Sequence, residues 1–551
     1  MSQMYRPKPI VLIILDGLGI APPNDGNAVT LAVTPNFDSF WKKYPHGYLQ
    51  ASGNSVGIPS GVNGNSEVGH MSLGAGKVIF QEIARIDNEI KNKTFFDNAI
   101  FKEATAHVKE SKGKLHLLGL VSDGKVHSSL NHLHACLDFA KKEKLSDNQV
   151  FIHAFTDGRD TSPQSAKEYL KELSEICNKK KIGKIASVIG RYFAMDRDER
   201  WERTKMAYDL VVSGKGKTVV SYQEALDKSY RQSITDEYLK PYVITEGGKP
   251  LAPVTKGDAV MVFNYRADRA VQLSRAFEEE PFTGWMRPKI QNMYFAGFSN
   301  YQKGIVMNRA KEDIDEHGGE SEMVQNLFSK ELQKSKVRFP KNQIFPPEQV
   351  TQSLGRIIAD AGLLQLRVTE SEKFPHVTYF FNCREKGVFP GEDREEIPSP
   401  KDVATYDKKP EMSSYEMNEL ILKRIDENKY DFILINFACP DMVAHTGNLA
   451  ASVKAVETVD DCVGKIAKSV LSKSGACIIT ADHGNAEELI NLQTGEVDTE
   501  HSTNPVPFMY VEGRQRVREL PYGIIADIAP TILAVMGIQH PSGMTGRNLL
   551  A

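Results

Sequence analysis

Ala476-Cys477-Ile478-Ile479-Thr480-Ala481-Asp482-His483-Gly484-Asn485 is an apolar, β-prone run that stops abruptly on an adjacent carboxylate and imidazole. Such a run reads as a buried parallel strand. Its polar end delivers two metal-ligand side chains to the carboxyl edge of a sheet, where open α/β sheets bind ligands. A turn with a hydrogen-bonded histidine fits the same residues, so other strands must decide. Pro9-Ile10-Val11-Leu12-Ile13-Ile14-Leu15 ends on Asp16-Gly17. Asp431-Phe432-Ile433-Leu434-Ile435-Asn436-Phe437 leads into Ala438-Cys439-Pro440-Asp441-Met442-Val443-Ala444-His445. Asp441 and His445 share one face if that turn is helical. His501 lies in the polar loop Glu500-His501-Ser502-Thr503-Asn504-Pro505. The carboxylates of Asp16, Asp441 and Asp482 and the imidazoles of His445, His483 and His501 thus become available at one expected sheet edge. That inventory suits two divalent ions, and mixed Asp/His ligation favours zinc, manganese or iron over calcium or magnesium.

At 551 residues the chain is too long for one ordinary hydrophobic core, so two domains are expected. It is 41% hydrophobic and 25% charged, with no apolar run of a length that spans a membrane. The net charge of -3, from 68 basic and 71 acidic residues, excludes a global attraction to nucleic acid or an anionic membrane. The N-terminus runs into a strand without a signal-peptide pattern, which makes the cytoplasm the expected compartment. The six cysteines lack a C-x-x-C pair and read as reduced core thiols. Strand-like runs near 114 to 121, 150 to 156, 184 to 189, 258 to 265, 376 to 382, 431 to 437 and 476 to 481 alternate with helix-like segments. The helices include 36 to 43, 128 to 144 and 452 to 472, and the alternation indicates α/β architecture with parallel sheets. The polar segment 303 to 343 reads as an exposed insertion or a connection, without a function assigned to it.

Between Gly53 and Gly76 small residues dominate, and Asn65-Ser66 before Glu67-Val68 is placed to open a helix whose free N–H groups bind phosphate. Ser66 is therefore a nucleophile candidate, or a helix cap. A bound cation activates such a serine without a histidine base. In the middle of the chain, Thr156-Asp157-Gly158-Arg159-Asp160, Gly190-Arg191 to Arg197-Asp198 and Phe263-Asn264-Tyr265-Arg266-Ala267-Asp268-Arg269 each follow a strand-like run. Guanidinium groups bind phosphate and carboxylate in bidentate fashion. Arg159, Arg191, Arg197, Arg266 and Arg269 therefore point to a small, doubly anionic substrate, with a salt-bridged surface as the alternative. His127 follows another strand and joins them as donor or acid-base group, or caps its loop.

Ile14-Leu15-Asp16-Gly17, Gly64-Asn65-Ser66-Glu67-Val68-Gly69-His70, Ser122-Asp123-Gly124, Asp157-Gly158-Arg159-Asp160, Gly190-Arg191-Tyr192, Pro440-Asp441-Met442-Val443 and Ala481-Asp482-His483-Gly484-Asn485 occur in this order. In series they resemble the cofactor-independent phosphoglycerate mutases. The resemblance implies an α/β fold in which an alkaline-phosphatase-like parallel-sheet domain, residues 1–78 and 306–551, carries an inserted α/β substrate-binding domain, residues 79–305. It implies interconversion of 3-phosphoglycerate and 2-phosphoglycerate through a phosphoserine, with two divalent metal ions, manganese in many members, and no bisphosphoglycerate. One metal site would use Asp441, His445 and His501, the other Asp16, Ser66, Asp482 and His483. Ser66 would attack phosphorus and Lys373 would neutralise phosphoryl oxygens. Arg266 and Arg269 would hold the phosphoryl end, and His127, Arg159, Asp160, Arg191 and Arg197 the glycerate, with Asp160 as proton shuttle. The expected partners are phosphoglycerates alone, with no nucleic acid and no membrane, and the expected state is a monomer. Thr369-Glu370-Ser371-Glu372-Lys373 replaces the family's Ala-Glu-Thr-Glu-Lys, and Ala444 stands where glycine is common. A metal-dependent phosphatase or another phosphomutase of the same superfamily is the alternative.

Overall fold

Every residue of Ile10–Leu15, Phe432–Phe437 and Ala476–Thr480 is buried, so these strands must be covered on both faces. Unbroken apolar runs of this kind belong in the middle of a parallel sheet, and the three are immediate neighbours there. Ile10–Leu15 pairs in parallel with Phe432–Phe437 on one side and with Ala476–Thr480 on the other. The computed structural model describes residues 6–301, 341–346, 348–491 and 494–551. It divides into two compact units, one formed by Met1–Gln81 with Glu348–Ala551 and the other by Glu82–Pro347.

In the first unit the sheet continues outward through Gln365–Glu370 and Glu392–Ile397, both parallel. On the other side Val506–Glu512 and then Pro45–Gln50 add antiparallel pairs. The helix Leu449–Ser472 lies against this sheet with Ala455, Val456, Val459, Val463, Ile466 and Val470 buried, a spacing that turns one stripe inward. It begins where Asn448 accepts a hydrogen bond from the Ala451 amide.

The second unit has its own sheet and its own buried clusters. Ala259–Val262, Leu115–Leu120, Val150–Thr156 and Lys184–Gly190 form its parallel centre. Tyr294–Gly297 extends one side in parallel, and on the other Tyr242–Glu246 adds an antiparallel pair, beyond which Lys217–Val219 runs parallel to it. The unit also takes in the chain after 340: Asn342–Gln343 pairs with Tyr294–Gly297, and Ile344 and Phe345 are buried in its core. The return to the first unit therefore falls at 348 and not at the expected 306, because these contacts tie the segment to the second sheet. The polar segment 303–343 otherwise lies outside the described residues.

One expected strand is a helix. Residues 376–382 carry β-prone aromatics, yet His376–Phe380 forms a π-helical turn, with the Phe381 amide bonded to the His376 carbonyl at 3.0 Å. The turn buries Val377 and Phe381, four apart, on one side against the core. Gln365–Glu370, which no expected strand covers, is the strand that pairs with Phe432–Phe437 in the sheet.

Candidate active site

Ser66 is the first residue of the helix Ser66–Ala75, and the preceding Asn65 caps that helix by accepting from the Val68 amide. This local geometry presents the Ser66 hydroxyl at a helix N-terminus, where partial positive charge favours anions. Three groups surround it. Lys373 Nζ donates to Ser66 Oγ at 2.8 Å, His483 Nε2 lies 3.0 Å away, and Ser66 Oγ donates to Asp16 Oδ1 at 3.3 Å.

The carboxyl ends of the three central strands converge beside this serine. Asp16 follows one strand, Asp482 and His483 another, and Asp441 sits in the helix Cys439–Ala444 after the third. His445 directly follows that helix, and its Nε2 is 3.4 Å from Asp441 Oδ1. His501 Nε2 is 3.3 Å from the same oxygen and 3.1 Å from His445 Nε2. Asp441, His483 and His501 form one group able to hold a metal ion, and Asp16, Asp482 and His483 a second, with the ligand atoms of each group within 4.8 Å of one another. His483 thus faces both groups, where the resemblance implied one.

Lys373 links the two groups electrostatically. Its Nζ lies 2.7 Å from Asp16 Oδ1 and 2.7 Å from Asp441 Oδ2. Burial disfavours its charge, but Asp16, Asp441 and Asp482 outweigh burial and hold its proton more tightly than in water. Burial likewise opposes a charge on His483, yet Asp482, Asp16 and Asp441 raise its imidazole to about 9. The three buried carboxylates all stay below the usual range despite burial, through Lys373 and the neighbouring histidines. Asp16, Asp441 and Asp482 thus gather carboxylate charge at a point also lined by imidazoles, which is the donor chemistry that divalent transition metals take.

A surrounding ring of side chains aims these groups. Asn436 Nδ2 donates to Asp16 Oδ2 at 2.7 Å, and Asn485 Nδ2 donates to Asp441 Oδ1 at 2.7 Å. His70 Nδ1 lies 3.2 Å from Asp482 Oδ2 and 2.9 Å from the Ser66 carbonyl. Asn436 and Asn485 stand within the quoted apolar runs, and only the folded contacts reveal what they do. His70 lies in the Ser66 helix, one turn on, which is the spacing that would have found it.

The second unit collects the arginines at its own sheet edge. Arg191 Nη1 donates to Asp157 Oδ1 at 2.7 Å and to Asp160 Oδ2 at 2.5 Å, and Ser122 Oγ donates to Asp157 Oδ2 at 2.7 Å. Asp268 gathers three cation-forming groups: Arg197 at 3.0 Å, Arg266 at 3.1 Å and His127 Nδ1 at 3.7 Å. His127 Nε2 is 3.9 Å from Asp160 Oδ2, so Asp160 and Asp268 flank one imidazole. Burial is the main force that lowers His127 to about 4, with Arg191 and Arg266 acting in the same direction. Arg269 donates to the Met195 carbonyl at 3.2 Å. Burial lowers its guanidinium to about 10, and Arg197, Arg191 and Arg159 push the same way. Four arginines therefore act on one another across a short range. Arg159 is half exposed and reaches Glu237 at 3.5 Å. Asp157 and Asp268, which sequence reading passed over inside the quoted motifs, are the carboxylates that orient these cations.

The chain is similar over nearly its whole length to known proteins. A family model described as BPG-independent PGAM N-terminus matches residues 86–303. The chain is 46% identical to the 2,3-bisphosphoglycerate-independent phosphoglycerate mutase of Clostridium beijerinckii, over 98% of this chain and 99% of the relative. It is 47% identical to the protein of the same name from Moorella thermoacetica, over 98% of each. The chain belongs to this family. A phosphoglycerate mutase of Leishmania mexicana, solved in crystals at low cobalt concentration, has 29% identity and a TM-score of 0.55 across 100% of this chain and 98% of that one. The bisphosphoglycerate-independent phosphoglycerate mutase fold is α/β, and here it is built from two sheets dominated by parallel pairs. Among the described residues no helix is long and apolar enough to cross a membrane.

Proposed function

We propose that this chain interconverts 3-phosphoglycerate and 2-phosphoglycerate by passing the phosphoryl group through Ser66, with no bisphosphoglycerate donor. The observation that carries this reading is the setting of Ser66, a helix-terminal hydroxyl with Lys373, His483 and Asp16 all within 3.3 Å. A phosphoryl transfer needs little covalent help from the protein and much positioning and charge stabilisation. Lys373 and the helix N-terminus supply positive charge to the phosphoryl oxygens. Ser66 Oγ, entering as the ionised alkoxide, forms a bond to phosphorus as the bond from phosphorus to the glycerate oxygen breaks, and that oxygen takes up a proton. The glycerate then offers its other hydroxyl to phosphoserine, gives up a proton and regenerates Ser66. We assign both proton movements to Asp160, whose carboxylate Arg191 holds at 2.5 Å. Arg191, Arg197, Arg159 and His127 hold the glycerate, and Arg266 and Arg269 the phosphoryl end.

The donor set fits two divalent cations, and we propose manganese. Asp441, His445 and His501 would hold one, and Asp16, Ser66, Asp482 and His483 the other. When bound they would withdraw charge from the phosphoryl oxygens and favour ionisation of the serine hydroxyl. Protein supplied with manganese and 3-phosphoglycerate alone should yield 2-phosphoglycerate, whereas release of free phosphate would make it a phosphatase. Ser66→Ala should abolish turnover with the fold retained by circular dichroism. Normal turnover in that folded variant would reject Ser66 as the carrier.

A further inference from the structure

We propose that Glu487 is the positioning residue of the candidate metal centre, holding the three ligand-bearing loops in place before any cation binds. The inference rests on the metal-site reading above and names a residue outside that donor set.

Glu487 is fully buried. Its Oε2 accepts from the Gly19 amide and from the Asn485 amide, each at 2.9 Å. Its Oε1 accepts from Asn504 Nδ2 at 3.1 Å and from the Ser502 hydroxyl. None of these partners is a lysine, arginine or histidine. A buried carboxylate without a cation is costly unless donors replace its hydration, and four hydrogen bonds do so here.

The donors are what give this carboxylate a role. Gly19 lies just past Asp16, Asn485 just past His483, and Ser502 adjoins His501. Asn485 passes the constraint on, since its side chain donates to Asp441 Oδ1 at 2.7 Å. One side chain therefore fixes the backbone or the partner of Asp16, Asp441, His483 and His501. Gly484 and Ser502 also pair as an isolated antiparallel bridge, which joins two of the three loops directly.

The chain leaves room for this carboxylate by omitting side chains around it. A Cβ on Gly19 would lie 2.4 Å from Glu487 Oε1, and a Cβ on Gly484 would lie 2.4 Å from the same atom. Either methyl would have to displace the carboxylate. Glutamine has the shape of glutamate but replaces one acceptor by a donor, so Glu487→Gln must set an N–H against at least one of these N–H or O–H groups.

The test is a calorimetric titration of manganese into metal-free wild type and metal-free Glu487→Gln, with thermal melting and amide hydrogen exchange on both. The expected result is a roughly tenfold to hundredfold loss of manganese affinity. Protection should fall at the Gly19 and Asn485 amides, and turnover should recover at saturating manganese. Unchanged affinity in a folded Glu487→Gln protein overturns the inference. If that variant fails to fold, Gly19→Ala, whose methyl displaces the same carboxylate, must show the same loss, and unchanged affinity there overturns it equally. Wild-type protein that takes up no manganese overturns the metal-site reading instead.

Discussion

Lys373 shows how much one side chain decides in this molecule. Sequence placed it only by resemblance, in Thr369-Glu370-Ser371-Glu372-Lys373, as a neutraliser of phosphoryl oxygens. In the folded chain it is also the main counter-charge to two buried aspartates, one from each metal group, at 2.7 Å each. Removing one member of a buried ion pair leaves the rest uncompensated, at a cost of about 3–5 kcal/mol. Lys373→Met should accordingly lower the stability of the metal-free protein by that order in chemical denaturation, and added divalent cation should restore a large part of it. Turnover should not return with the cation, because the charge proposed to meet the phosphoryl group is gone. A metal-free variant as stable as wild type would show that His483 alone balances these carboxylates.

Among the elements, the strand Gln365–Glu370 was the hardest to read. It is wholly buried, yet Gln365, Arg367, Thr369 and Glu370 are polar, so no apolar run announces it, and the alternation Gln365-Leu366-Arg367-Val368-Thr369 is that of a strand with one face in water. Tertiary contacts make up the difference. Arg367 donates to Gln365 Oε1 at 2.6 Å and lies over the Phe381 ring at 4.6 Å. Thr369 donates to the Asn436 carbonyl at 2.9 Å on the neighbouring strand. Glu370 accepts from the Ser413 amide at 3.1 Å, and burial pushes its carboxyl from 4.5 up to about 7. Between those two values the native strand keeps a proton that the unfolded chain has lost. Stability from this residue is therefore present at acid pH and falls as pH rises through the folded value. Glu370→Gln should flatten that slope, and at pH 8 should exceed wild type by on the order of 3 kcal/mol in denaturant melts. Parallel stability curves for the two proteins from pH 5 to pH 8 would count against a raised carboxyl. The central strands were legible for the opposite reason: Ile10–Leu15 and Ala476–Thr480 have nothing but apolar and small side chains until their functional ends.

At the scale of the whole molecule the chain forms two units, each with its own sheet and buried core. The candidate metal ligands all belong to the first and the clustered arginines to the second. Calorimetry should resolve two unfolding transitions, and chelation should lower only one of them. Fluorescence can assign them, since Trp41 lies in the first unit and Trp201 and Trp285 in the second. After Trp41→Phe, the tryptophan signal should report the transition that chelation leaves unmoved. A single transition displaced as a whole by chelator would overturn the separation.

The sequence by itself determined the α/β class, the buried central strands, the candidate ligand residues at their carboxyl ends and the family resemblance. Such features are local: an apolar run, a cap or a motif is written in consecutive residues, and its period sets the backbone that holds it. Tertiary structure alone decided which distant residues meet. Asp16 and Asp482 come together because their strands flank one another, though 465 residues separate Gly17 from the aspartate it donates to at 3.3 Å. The sharing of His483, the bridging by Lys373, the orienting contacts of Asn436, Asn485 and Glu487, and the capture of Ile344 and Phe345 by the second core all depend on that packing. Hydrogen bonds and charge act over a few ångströms in space, and no pattern along the chain records which groups folding will bring within that range.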